Sequence, residues 1–422
     1  MTRLVAAALI ASGLPIAAAG LATVPTEGAM PASPAIVHEP ARRAFAPPEA
    51  FTDPAQVPPS LARVPIALLM DLSSGQVLYA KDENRRFVPA SITKVMTLYL
   101  AFELLHKQHL KPDQHMQMSE EAFKKWHNVG STMFLDRTMN PTVDDLLLGI
   151  ANVSANDACV VLAEGAGGSV ANWTAMMNAQ ARRLGMKDSH FSTPNGWMDE
   201  GQTYVTAHDL ATLASAMIAA HPDKYHRYIG HETMTWNGIT QANHDPILGR
   251  LPGADGIKTG FTNQAGYGYL GSAIRDGRRL IMVVAGVDLA RDRATAARDL
   301  MEWGFAAFAS KPLFAAGAKV GEARVQGGQQ RMVSLVTPSG FGATIAGNSD
   351  KNGHVPISLR VVYDGPLEAP IEKGSIVAAL EVRVGNAPPS RVPLLAGESV
   401  GRADWLARLR NGLLGLFSWS RA

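Results

Sequence analysis

Cysteine is almost missing from this chain: Cys159 is the single one in 422 residues. An internal disulfide is therefore excluded, although export is not. Cys159 lies in the apolar stretch DACVVLAEG, which reads as a helix, so it is expected to pack as a small buried hydrophobe. Net charge is also slight. Thirty-nine basic residues stand against 37 acidic ones, leaving +2 and no strong attraction for nucleic acid. The 12 histidines are scattered, and neither HExxH nor CxxC spacing occurs, so neither a metal site nor a cofactor is expected.

What is present is ordinary for a globular protein: 46% apolar and 18% charged residues. The length suits two or three domains, each with its own core. The N-terminus opens with MTR, followed by VAAALIASGLPIAAAG and small residues around Ala17 to Ala22. A basic start, an apolar run and small residues make residues 1–22 a secretory signal peptide, too short and alanine-rich for a membrane span. Residues 23–60 hold nine of the 26 prolines and little periodicity, and read as an extended linker.

A catalytic domain is expected over residues 61–310. VPIALLMDL, SSG and QVLYAK read as strand, turn and strand. Helical patterns follow to about residue 223, including one that starts after Thr142 and others at 156–166, 170–184 and 207–220. GYGYLGSAI and RRLIMVVAGV read as strands joined by an Asp-Gly turn, and a last helix is expected at about 293–309. Strands at both ends, with helices between, suggest one antiparallel sheet flanked by helices. Residues 311–400 change to short alternating runs such as ISLRVVY and IVAALEVRV, a small all-β domain. In the tail, residues 401–422, Trp405, Leu406, Leu409, Leu413, Leu416 and Phe417 share a helical face with Arg408 and Arg410 off it. That pattern predicts an amphipathic helix lying on a membrane surface.

Three short segments carry chemistry. PASITKVM places Ser91 and Lys94 three residues apart, on one face of a helix whose continuation, VMTLYLAFELL, is apolar nearly all round. A lysine at the buried end of such a helix needs a task or a partner. VSANDA gives Ser154 and Asn156 at a junction between two helices. DGIKTGFT gives Lys258, Thr259 and Gly260 just before the strand GYGYLGSAI. A serine hydroxyl is a poor nucleophile without a base, and Lys94 can be that base only while neutral. Burial and a second cation at Lys258 would both favour the neutral form. Ser154 can relay a proton, Asn156 can hold Lys94 and a substrate amide, and Lys258 with Thr259 can meet a carboxylate. Gly260 would let substrate backbone approach the strand, and the N–H groups of Ser91 and Phe261 could form an oxyanion hole.

SxxK, SxN and KTG in this order resemble the penicillin-recognising serine enzymes, for which the same triple is a known signature. Within them the chain resembles the low-molecular-mass D-alanyl-D-alanine carboxypeptidases over roughly Val64 to Ser310. PASITKVMT, GSTMFL, NVSANDACVVLAE, GMKDSHFSTPNG, WNGI, DGIKTGFT and LMEWGF carry the likeness. The resemblance implies an α/β domain of the β-lactamase/transpeptidase-like fold, with a five-stranded antiparallel sheet. It also implies an exported, periplasmic protein held at the outer face of the cytoplasmic membrane by its C-terminal helix. The implied substrate is a peptidoglycan stem peptide ending in D-Ala-D-Ala, attacked by Ser91, and β-lactams would acylate the same serine. An arginine following the last sheet strand is implied near the terminal carboxylate; counting back from LMEWGF gives Arg293, with Arg291 nearby. Two departures stand out: SAN where relatives often have SGN, and Phe261 where a histidine is common. A DD-endopeptidase would keep all three motifs. A class A β-lactamase would need a glutamate-bearing loop after SxN, a pattern that DSHFSTPNGWMDEG lacks.

Overall fold

The computed structural model describes residues 57–346, 356–384 and 389–404. The expected signal peptide, nearly all of the proline-rich stretch and the part of the expected amphipathic tail beyond Asp404 lie outside the described residues. A 3-10 turn, Pro59–Arg63, leads into the hairpin of β1 (Ile66–Asp71) and β2 (Gln76–Lys81). A second 3-10 turn, Ala90–Thr93, opens α1 (Lys94–His106). The helical lobe continues with α2 (Glu120–Trp126), α3 (Val143–Asn152), α4 (Asn156–Gly167), α5 (Val170–Arg183), α6 (Ala207–Ala220) and α7 (Pro222–Tyr228). Local chemistry explains these starts. Thr142 and Asp145 close a reciprocal capping box on α3, and Ser169 and Thr206 cap α5 and α6 through their hydroxyls.

A small hairpin, β3 (Thr233–Trp236) and β4 (Ile239–Ala242), turns at Asn237-Gly238, both with positive φ. That dipeptide suits the tight hairpin turn. The chain then forms β5 (Ala254–Thr262), β6 (Gly266–Arg275), β7 (Arg278–Val287) and α8 (Ala290–Ala307). The main sheet is antiparallel, in the order β2-β1-β7-β6-β5, so the first hairpin of the domain pairs with its last strand and β5 is left at an edge.

Alternation along the strands puts one core on each face. Ile66, Leu68, Ile281 and Val283 point into the helical lobe, while Ala67, Leu69, Met282 and Val284 pack with Ala296, Leu300 and Met301 of α8. The first nine residues of α1, Lys94 to Phe102, are all buried, as its all-round apolar pattern requires.

Beyond α8 lie β8 (Phe308–Phe314), β9 (Lys319–Gln326), β10 (Met332–Val336), β11 (Phe341–Ala346), β12 (Ile357–Val362), β13 (Leu367–Glu368), β14 (Ile376–Val384) and β15 (Ser390–Ala396). These form the expected all-β unit, a six-stranded sheet with a β8–β11 pair and a separate apolar core. A buried polar knot joins it to the main sheet. Asp71 Oδ2 accepts from Arg278 Nε and from Thr344 Oγ1, each at 2.7 Å, and Arg278 Nη1 donates to Phe308 O at 2.7 Å. The Thr344 N–H donates to Gln76 Oε1, and Ser390 Oγ donates to Ser74 O. Gly75 is required where these pieces meet: φ is +68°, and a Cβ would stand 2.6 Å from Arg391 O.

Candidate active site

Ser91 and Lys94 do not share a regular helix. Ser91 lies in the 3-10 turn and Lys94 is the first residue of α1, which still sets the two side chains together. Ala90, just before the serine, has φ +48°, a conformation held in place by what surrounds it. Lys94 is fully buried, and its Nζ has three oxygen neighbours, each at 2.8 Å: Ser91 Oγ, Asn156 Oδ1 and Asn195 O. As an ammonium, Lys94 donates to all three. As an amine, it can keep two N–H bonds to the oxygens of Asn156 and Asn195, which can only accept, and turn its lone pair toward the serine hydroxyl. Losing the proton therefore costs Lys94 no hydrogen bond.

The second segment holds this arrangement from the other side. Ser154 is buried at φ +62° in the link between α3 and α4, and Asn156 is the first residue of α4. The Asn156 side chain bridges Lys94 and Val129 O. Asp157, fully buried beside it, accepts from the N–H groups of Met133 and Leu135 at 3.0–3.1 Å. The GSTMFL segment is thus fixed to the start of α4, with Gly130 giving room for the Asn156 amide.

Lys258, Thr259 and Gly260 are not ahead of a strand but inside one, the edge strand β5. Lys258 and Thr259 are buried, and Phe261 is 47% exposed. A Cβ at Gly260 would lie 2.5 Å from Pro89 O and 3.2 Å from the Ile92 N–H, so the missing side chain makes room for the nucleophile turn. Gly196 serves the same turn: at φ +74°, its Cβ would fall 1.8 Å from Ala90 O.

Burial takes Lys94 down to about 8. Burial first, and then the charge of Lys94, takes Lys258 down to about 7. The expected cation–cation effect is thus expressed at Lys258; two buried ammoniums repel, and the cost falls on whichever gives up its proton first. Cys159 is buried, and its thiol is pushed up to about 12, a packing residue as expected.

Of the two candidate arginines, Arg291 has a side chain 83% exposed and pairs with Asp292. Arg293 turns inward under the ring of Tyr267, its guanidinium 5.6 Å from the ring centre, and Tyr267 stacks on Phe261 at 4.1 Å. The buried Nε of Arg293 has no hydrogen-bond partner among the described residues. Sequence reasoning missed Asn195, which acts through a backbone carbonyl and leaves no side-chain signal. It also missed His244 and Asp245, which precede β5 and bear electrostatically on Lys258.

Comparison with known proteins matches this geometry to a family. Residues 55–288 match the sequence model described as D-alanyl-D-alanine carboxypeptidase. Residues 308–402 match the penicillin-binding protein 5 C-terminal domain. The chain is 36% identical over 348 residues to D-alanyl-D-alanine carboxypeptidase DacD of Salmonella typhimurium, covering 81% of this chain and 87% of that protein. Among solved structures, penicillin-binding protein 5 from Haemophilus influenzae superposes with a TM-score of 0.62 at 32% identity, over 81% of this chain and 98% of the other. Penicillin-binding protein 6B from Escherichia coli does so with a TM-score of 0.59 at 30% identity, over 84% and 98%. Penicillin-binding protein D2 from Listeria monocytogenes in an ampicillin-bound form has a TM-score of 0.53 at 29% identity, over 58% and 98%. The chain therefore belongs to the D-alanyl-D-alanine carboxypeptidase family, a family of serine hydrolases.

Proposed function

We propose that this protein removes the terminal D-alanine from peptidoglycan stem pentapeptides through an acyl-enzyme at Ser91. The observation that carries this reading is the buried Lys94 amine 2.8 Å from the Ser91 hydroxyl, with a proton affinity brought down to about 8. Ser91 Oγ attacks the carbonyl carbon of the penultimate D-alanine and its proton passes to Lys94. The backbone N–H groups of Ser91 and Phe261 receive the oxyanion. The proton then travels through Ser154 to the leaving nitrogen, the C–N bond breaks, and D-alanine departs. Water attacks the Ser91 ester and releases the shortened peptide. Asn156 holds Lys94 and the substrate amide, while Lys258, Thr259 and Arg293 receive the terminal carboxylate. Gly260 gives the serine turn its place beside β5. β-Lactams, which carry an amide and a carboxylate at like spacing, acylate Ser91 in the same way.

The N-terminal pattern and the amphipathic pattern of the tail support an exported protein working in the periplasm, attached peripherally to the outer face of the cytoplasmic membrane through residues 401–422. No helix among the described residues is long and apolar enough to cross a membrane.

The test is mass spectrometry of a soluble stem pentapeptide incubated with the purified protein. Loss of one alanine, blocked by penicillin, is expected. An untouched pentapeptide beside a cleaved cross-linked dimer would move the assignment to a DD-endopeptidase.

A further inference from the structure

The site as described brings three cations together, Lys94, Lys258 and Arg293, and its reaction uses no acid. A buried carboxylate nevertheless lies behind it. Asp245, in the loop between β4 and β5, is 8% exposed. Its Oδ1 accepts from the N–H groups of Ile247 and Leu248, both at 2.9 Å. Its Oδ2 lies 2.8 Å from the hydroxyl of Tyr269, a fully buried residue of β6. The same hydroxyl is 2.9 Å from Gly256 O in β5, and Tyr269 is paired across the sheet with Thr259. Asp245 is therefore tied through one side chain to the strand that carries Lys258 and Thr259.

We propose that Asp245 is a positioning residue for the substrate-carboxylate pocket: through Tyr269 it anchors β5, and its carboxylate is the counter-charge to Lys258 and Arg293. This inference deepens the carboxypeptidase reading and rests on it. The groups around Lys258 are Lys94 from α1, Cys159 from α4, Arg293 from α8 and Asp245; those around Arg293 are Asp245, Tyr269 and Tyr267. His244, next in the chain, faces the same two cations and is itself pushed toward its neutral form by burial and by their charges. Asp245 is the one carboxylate common to both cations among these neighbours. Without it, Lys258 and Arg293 would face each other with no carboxylate common to both, and Lys258 would give up its proton at a lower pH. A Lys258 that has lost its charge holds a carboxylate more weakly.

The experiment compares kcat/KM for a peptide ending in D-Ala-D-Ala with kcat/KM for its terminal methyl ester, from pH 5.5 to 9. Taking the ratio cancels the titration of Lys94, which serves both substrates. For the unaltered protein the ratio falls as Lys258 loses its proton. Asp245→Asn fills the same volume: its Oδ1 can still accept from the N–H groups of Ile247 and Leu248 while its Nδ2 donates to the Tyr269 hydroxyl, which donates to Gly256 O. The variant is expected to move that fall about one pH unit lower, roughly a tenfold smaller ratio at pH 8. At pH 5.5, where Lys258 is charged in both proteins, the variant's ratio is expected to equal or exceed the original. Tyr269→Phe keeps the charge and cuts the anchor; it is expected to lower the ratio at every pH without moving the midpoint. An unmoved midpoint in Asp245→Asn would overturn the counter-ion role, and an unchanged ratio in Tyr269→Phe would overturn the anchor. Failure of the unaltered protein to release alanine would instead overturn the carboxypeptidase reading, before either variant is compared.

Discussion

Lys94 has three oxygen neighbours and, as an amine, two hydrogens to give them. That mismatch makes a buried lysine a base for Ser91. With its proton affinity near 8, about a tenth of Lys94 is neutral at pH 7, so acylation by a neutral ester should climb several-fold between pH 7 and 8.5 and then level off. Stopped-flow or discontinuous assays over that range will show it; a flat profile would assign the proton to another group. The same two lysines bear on stability with a definite sign. Burial lowers Lys94 and Lys258 from 10.5 to about 8 and about 7, so the unfolded chain holds these protons more tightly; the penalty is full below about 7 and is relieved as pH rises from there toward 10.5. Glu103 acts oppositely. Burial pushes its carboxyl up, but the hydrogen bond and charge of His221, with Lys107, overcome this and bring it down to about 2 from 4.5. Its contribution is present above 4.5 and lost as pH falls toward 2, which thermal melts in acid should register.

At the scale of elements, the site depends on close approaches that side chains would block. Gly196→Ala would set a methyl 1.8 Å from Ala90 O at a positive φ, and should cost at least ~2 kcal/mol and depress Ser91 acylation together. A melt and a penicillin-labelling rate on the same sample check both. Thr142→Ala, which opens the capping box of α3, should cost ~1 kcal/mol and leave acylation untouched. The contrast between these two elements shows what could be read in advance. The start of α3 was legible because a cap and a capping partner lie three residues apart, and α4, α5 and α6 fall where periodicity put them. The three motifs were legible because each is a local string. What was not legible is long-range: the Asn195 carbonyl beneath Lys94, and the true neighbour of Gly260. The β3–β4 hairpin went unread although its Asn-Gly turn was in plain view within WNGI. The KTG segment was placed just before the strand GYGYLGSAI; it is itself part of a strand, paired through Lys258, Thr259 and Gly260 with Leu270, Tyr269 and Gly268 of that neighbour.

At the scale of the whole molecule, the catalytic sheet and the all-β unit meet in a knot of buried polar groups rather than across an apolar seam. Asp71, with no exposed surface, accepts from Arg278 and Thr344 together. Asp71→Ala would leave the buried Arg278 guanidinium without its acid, at a cost of ~3–5 kcal/mol. Calorimetry is expected to find one transition for the unaltered protein and, in the variant, the all-β unit melting apart from the catalytic domain; a single shifted transition would mean that the knot adds stability without coupling the two. The lysine that attacks nothing itself remains the centre of the account. Its most direct test is intact-protein mass spectrometry and peptide mapping after brief exposure to penicillin, on the unaltered protein and on Lys94→Met. One adduct is expected, on the peptide carrying Ser91, with a labelling rate at least ~10²-fold lower in the folded variant. An adduct on another residue, or a variant that labels as fast as the original, would contradict it.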